Sequence, residues 1–135
     1  MKAEIFSYST VIKEHHLDTF GHVNNATYLE LLEEARWEFL TISGFGLQVI
    51  QDTHIGPVVL ECTIKFLKEL LLRQTISITS QIVTYDKKIG TMQQKIFVDN
   101  VVCCDAHMTF GLFDLRQRKL ILPSAAWLSA IGVSD

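Results

Sequence analysis

Cysteine, proline and glycine are scarce in this sequence, at three, two and seven of 135 residues. So few glycines and prolines exclude collagen-like and low-complexity chains. The odd cysteine count excludes a fully paired disulfide scaffold. Cys103 and Cys104 are adjacent, a strained arrangement for a disulfide, and there is no CxxC spacing. Free thiols, buried or semi-buried, in a reducing cytoplasm are the expectation. No apolar run approaches the roughly 20 residues of a membrane span. The opening Met1-Lys2-Ala3-Glu4-Ile5 lacks the apolar stretch of a signal peptide, so a cytoplasmic location is expected. Positive charge is also short. Twelve Lys and Arg against 15 Asp and Glu give a net charge of −3 and a pI near 5.9. A protein that binds nucleic acid by neutralising phosphates is not expected.

What the chain has is apolar surface. Hydrophobic residues make up 48%, enough at this length for a core that needs no disulfide or metal. With no repeat, linker or low-complexity tract, residues 1–135 read as one domain. Residues 4–12 (EIFSYSTVI) are β-branched and aromatic and suit a strand. From 25 to 43 the period changes. Tyr28, Leu31, Leu32, Ala35, Phe39 and Ile42 fall on one helical face, with Glu30, Glu33, Glu34 and Glu38 off it. Asn25 suits the N-cap of this helix and Gly44 its stop. Residues 46–52 suit a further short turn of helix.

After Gly56-Pro57 the pattern reads as strands over 58–66, 74–85, 91–98 and 101–114, joined by tight turns, with turn residues at 86–90 and 99–100. Residues 125–131, after Pro123-Ser124, suit a short helix. Strand, long helix, then four consecutive strands predict an α+β domain with the helix on one face of a single antiparallel sheet. Such a sheet leaves open edges, which predicts pairing with a second copy.

The chemistry concentrates in Asp18-Thr19-Phe20-Gly21-His22-Val23-Asn24-Asn25-Ala26-Thr27-Tyr28, a polar loop feeding into the long helix. A helix start offers unpaired N–H groups and the positive end of a dipole to an oxyanion. Gly21 lets the backbone turn tightly. A carboxylate beside an oxyanion site is the minimum equipment for acyl transfer. An alternative reading makes Asp18 a turn former and Asn25 only a cap.

The spaced pattern Asp18…Gly21-His22-Val23-Asn24-Asn25…Tyr28…Glu33…Ala35-Arg36 resembles the hotdog-fold acyl-CoA thioesterases of the 4-hydroxybenzoyl-CoA thioesterase-like family. The resemblance covers nearly the whole chain. It implies a hotdog fold, an antiparallel sheet wrapped around one long central helix. It implies that Asp18 is the catalytic carboxylate, that the Asn25 N–H polarises the thioester carbonyl, and that Tyr28 sits beside them. Gly21, His22, Val23 and Asn24 become the substrate-binding loop, and Glu33 with Arg36 helps hold the helix. The implied reaction is hydrolysis of acyl-CoA, or of an acyl carrier protein thioester, to free acid and thiol. No metal or prosthetic group is implied, coenzyme A being part of the substrate. Homodimers or homotetramers with interfacial sites are implied as well. Two other activities use the same equipment: a hydratase or dehydratase drawing on His22, and a catalytically silent acyl-CoA-binding protein.

One segment departs from the family pattern. Residues 67–74 (LKELLLRQ) lack the usual proline-containing loop and Gly-Asp or Asp-Asp turn. Leu70 to Leu72 read as core, interface or acyl tunnel. Lys65, Lys68, Arg73, Arg116, Arg118 and Lys119 are the basic candidates for coenzyme A phosphates. His15, His16 and His22 lack a second ligand cluster, so no metal site is expected. Trp37 and Trp127 read as packing residues.

Overall fold

A computed structural model describes residues 1–135. The elements are β1 (Lys2–Ala3), β2 (Phe6–Val11), α1 (Asn25–Ile42), α2 (Leu47–Thr53), β3 (Ile55–Phe66), β4 (Thr75–Asp86), β5 (Ile89–Val98), β6 (Val101–Asp114), β7 (Lys119–Ile121), α3 (Ala125–Ala130) and β8 (Val133–Ser134). A 3₁₀ turn at Glu14–His16 follows β2. The main sheet is antiparallel in the order β2-β4-β5-β6-β3, with β7 also paired to β6. β1 and β8 form a separate two-stranded ribbon. The long helix lies against this sheet, the α+β hotdog arrangement.

The β4–β5 and β5–β6 connections are two-residue turns, Lys87–Lys88 and Asp99–Asn100; the first is tighter than the expected 86–90 because Asp86, Ile89 and Gly90 pair within the ladder. Lys87, Asp99 and Asn100 all take positive φ, and two such residues in succession at 99–100 match the twist of the flanking strands. The β3–β4 connection differs from expectation. β4 pairs with β2 and β5 and not with β3, so residues 67–74 carry the chain from the β3 edge across to the strand next to the opposite edge. The link is fixed by Val23 N–H donating to Leu70 C=O at 3.0 Å and by a bridge between His22 and Leu71. Leu70 is fully buried, while Leu71 and Leu72 are exposed.

α1 buries Tyr28, Leu31, Leu32, Ala35, Phe39 and Leu40. Ile42, expected on that face, is 78% exposed. It is the last helical residue, and Leu40 instead packs with Phe45, Trp127 and Ile131 in a second core cluster. The N-cap is Asn24 and not Asn25. Asn24 has extended φ/ψ and its side chain accepts the Ala26 N–H at 2.8 Å, which makes Asn25 the first helical residue. Gly44 does stop the helix, at φ +84°. Phe45 N–H donates to Leu40 C=O and Gly44 N–H to Thr41 C=O, the pair of bonds that closes a helix with a left-handed residue.

The three cysteines are free, with Cys103 and Cys104 buried and Cys62 exposed on β3, where a buried or semi-buried thiol was expected. β3 is an edge strand, so nothing from this chain covers its outer side. Burial pushes the Cys104 thiol up to about 12. Burial raises the Cys62 thiol too, against a lowering by Arg36. Cys62 alone is exposed, so a maleimide at neutral pH is expected to label Cys62 ahead of Cys103 and Cys104 in the native protein. Mass spectrometry checks this, all three sites becoming labelled in denaturant.

Candidate active site

Residues 18–22 form a closed loop between two short backbone pairings. Leu17 bridges Val23, Asp18 N–H donates to His22 C=O at 3.0 Å, and Gly21 N–H donates to Asp18 C=O at 3.2 Å. The loop closes because Gly21 takes φ +82°, which a residue with a Cβ rarely adopts. The Asp18 carboxylate divides its two oxygens. Oδ1 accepts the Phe20 N–H at 2.8 Å, so Asp18 does form the turn. Oδ2 lies 3.9 Å from His22 Nδ1, and the side chain keeps 19% of its surface exposed. One oxygen holds the loop and the other remains for chemistry.

The helix start completes the arrangement. The Asn24 side chain and C=O serve the N–H groups of Ala26 and Thr27. The N–H of Asn25 has no acceptor in the chain, as the first residue of a helix is expected to lack one. Asp18, His22, Asn24, Asn25 and Tyr28 line one cleft, with Thr19, Phe20 and Val23. Gly21 shapes the loop and is not in the lining. Val23 is 1% exposed and packs into the main core cluster with Leu32 and Leu70. It anchors the loop from beneath. Tyr28 is buried, its ring meeting Phe66 edge-on at 4.9 Å between centroids. Burial raises the Tyr28 phenol above its ordinary value, against a lowering by the Leu70 backbone, so it stays protonated at neutral pH.

The opposite wall was not identified from sequence as a unit. It consists of Phe66, Leu67, Lys68 and Glu69, at the end of β3 and the start of the cross-sheet link. Of the six basic candidates for phosphate contact, Lys68 alone lines this cleft. Arg73 is committed to Glu14, with Nη2 2.8 Å from Oε2. Arg116, Arg118 and Lys119 lie just beyond β6, at the far end of the sheet from Asp18. No group of three or more His, Cys, Asp and Glu converges anywhere in a way that could hold a metal ion.

A buried polar network ties the helix to the sheet behind the cleft. Arg36 Nη1 donates to Gln94 Oε1 at 3.0 Å. Gln94 Nε2 donates to Leu32 C=O at 3.1 Å and to Ser80 Oγ at 2.9 Å. Gln94 has no solvent exposure, so each of these bonds satisfies a group that water cannot reach. Arg36 thus holds α1 in place, while Glu33 is exposed and forms no ion pair with it. Burial lowers the Arg36 guanidinium below its ordinary value and Glu33 opposes this, but at neutral pH it stays charged. Sequence reasoning missed Gln94. Its signal was a polar residue in phase with Met92 and Ile96 on the inward face of β5.

Comparison with known proteins adds four results. Residues 12–131 match the family described as the thioesterase-like superfamily. The long-chain acyl-CoA thioesterase FadM of Escherichia coli (strain K12) is 37% identical over 112 residues, covering 82% of this chain and 84% of FadM. The crystal structure of YbaW, a probable thioesterase from Escherichia coli, superimposes with a TM-score of 0.81 at 33% identity, covering 93% of this chain and 95% of YbaW. At 17% identity, hypothetical protein SAV2348 from Staphylococcus aureus, solved in complex with CoA, shares the fold. Its TM-score is 0.87, over 97% of this chain and 84% of that one.

Proposed function

The chain belongs to the thioesterase-like superfamily, and from that premise we infer that it is an acyl-CoA thioesterase that releases free acid and thiol. The observation that carries the reading is the pairing of the Asp18 carboxylate with the free Asn25 N–H in one cleft. The thioester carbonyl oxygen docks on that N–H, where the helix dipole stabilises the negative charge that develops on attack. Asp18 acts as nucleophile at the carbonyl carbon or as general base on a water. Either way the C–S bond breaks, the sulfur leaves as thiolate and takes up a proton, and water supplies the oxygen gained by the acid. Tyr28, protonated and wedged against Phe66, shapes the cleft beside the helix start. Asn24 holds the first turn in register, and His22 flanks the carboxylate. These groups need no metal or prosthetic group.

The test is release of thiol from a panel of acyl-CoA and acyl carrier protein thioesters, followed with a thiol reagent. Turnover of acyl-CoA is the expected result. Binding of acyl-CoA without thiol release by the intact protein would make it a silent binder.

The long-chain acyl-CoA thioesterase activity of FadM and the fold shared with a CoA-bound protein support acyl-CoA as substrate over carrier protein. We assign the protein to the cytoplasm; no helix is long and apolar enough to cross a membrane.

The assembly is proposed to be a homodimer joined through β3, with a tetramer as its extension. β3 is an edge strand with Val59, Leu60 and Phe66 about half exposed, and an exposed apolar edge pairs readily. Sedimentation at micromolar concentration is expected to give twice the 15.3 kDa chain mass or a multiple of it. A stable monomer would rule this interface out.

A further inference from the structure

The chain enters the Asp18 loop through the 3₁₀ turn at Glu14–His16, and His16 holds both flanks of that loop. Its N–H donates to Lys13 C=O at 3.0 Å, and its Nδ1 accepts the Lys13 N–H at 2.9 Å, which closes the turn. Its C=O accepts the Asn24 N–H at 3.1 Å. Asn24 caps α1 and precedes Asn25, the proposed oxyanion donor. On the other flank, Leu17 follows His16, bridges Val23 and precedes Asp18. His16 is half-buried and does not line the cleft, so it reaches the chemistry only through Asn24 and Leu17.

The Lys13 contact fixes the state of the ring. A backbone N–H donates only to a ring nitrogen without a proton, so Nδ1 is bare and the single proton sits on Nε2. A second proton would set donor against donor and free the Lys13 N–H. The ring faces Lys13 and His15 from its own turn, and Glu30 and Glu34 from α1. The remaining charge of the turn, Glu14, is paired with Arg73, and the Tyr8 hydroxyl of β2 donates to Glu34 Oε2 at 2.7 Å. Burial lowers the His16 imidazole below its ordinary value, with His15 and Lys13 adding to this and Glu34 and Glu30 opposing it. The fold therefore holds the ring neutral at pH 7 and loses that stabilisation as the pH falls below about 6.5.

We propose that His16 is a positioning residue for hydrolysis, whose neutral ring holds Asp18 and the Asn25 N–H in register. A proton on the ring breaks the Lys13 bond, draws the imidazolium toward Glu34 and Glu30, and loosens the turn that fixes Asn24 and Leu17. The site then loses kcat below neutral pH through a residue that never meets substrate. The proposal rests on the acyl-CoA reading above and adds a pH-dependent control of the same site.

His16→Asn and His16→Ala test it. Asn places an amide oxygen as many bonds from the backbone as Nδ1, accepts the same N–H and does not titrate, whereas Ala accepts nothing. Turnover of dodecanoyl-CoA is measured from about pH 5 to about pH 8.5, a range that spans histidine titration. The backbone amides of Lys13, Asn24 and Asn25 are followed by NMR over the same range without substrate. In the wild type, kcat is expected to fall as His16 gains its proton, and the three amides to shift in step with its ring. His16→Asn is expected to stay within about twofold of the wild-type kcat at neutral pH, to hold that rate to lower pH and to lose the linked amide shifts. His16→Ala is expected to lose about threefold to tenfold in kcat at neutral pH, the worth of one hydrogen bond, with KM little changed. An acid limb unchanged in His16→Asn, or Asn24 and Asn25 amides that shift alike with and without His16, would overturn the proposal and leave the thioesterase reading standing. Amides that track His16 in a protein that cleaves no acyl-CoA would keep the coupling and overturn the thioesterase reading.

Discussion

Asp18→Asn is expected to lower kcat at least about a hundredfold, the lower bound of what a positioned general base contributes. An amide is a poor base and a poor nucleophile, and loss of a nucleophile costs more. The substitution leaves the rest of the site in place. The amide oxygen of the new side chain can still accept the Phe20 N–H that Asp18 Oδ1 accepts at 2.8 Å. The proposed oxyanion donor is the backbone N–H of Asn25, at the start of α1, and survives the substitution. Acyl-CoA binding therefore persists, and tightens where the carboxylate no longer crowds the thioester. A fall in kcat with KM unchanged or lower marks the loss of an interaction made in the transition state. Steady-state kinetics with a binding titration checks this. Wild-type turnover by Asp18→Asn would remove Asp18 from the chemistry.

Leu32→Asp carries the largest expected effect on stability. Leu32 has no solvent exposure and sits in the main core cluster between α1 and the sheet. The cation one turn along α1, Arg36, has its Nη1 bonded to Gln94 Oε1 and Met108 Sδ, so turning it to a carboxylate at position 32 would break the network that ties α1 to the sheet. Burial of an unpaired charge costs on the order of 4 kcal/mol or more. Total stabilities of single domains are about 5–15 kcal/mol, so the variant is expected to lose a large share of its stability and its denaturant midpoint to fall steeply. Glu30→Lys, on the exposed side of the same helix, is expected to change stability by about 0.5 kcal/mol. Denaturant melts of the two variants separate these outcomes, and equal midpoints would show that the buried face of α1 is misassigned.

The helix and the loop before it were legible because their signals are local. Residues 18–28 are contiguous, so one stretch of sequence contains the carboxylate, the tight-turn glycine and the helix start. The cleft's second wall, Phe66 to Glu69, is distant in sequence and joins only when the sheet forms. Pattern reading along the chain does not register such contacts. The shift of the cap from Asn25 to Asn24 has a similar cause. Both residues suit a cap, and only the extended φ/ψ of Asn24 decides between them. Ile42 continued the apolar period, yet the helix ends there and Leu40 takes the buried position beside Phe45. β1, β7 and β8 are two or three residues long and are held by their partners, too short for an alternating pattern to register. The cross-sheet path of residues 67–74 depends on Leu70 passing beneath the Asp18 loop, a tertiary contact with no local signature.

The most direct measurement is a structure of Asp18→Asn bound to an intact long-chain acyl-CoA, which this variant is expected to leave uncleaved. The thioester carbonyl oxygen is expected within hydrogen-bond distance of the Asn25 N–H, with the residue-18 side chain facing the carbonyl carbon or a water beside it. A thioester held anywhere else, with the Asn25 N–H and residue 18 out of reach of its carbonyl, would contradict the assignment of this cleft as the active site.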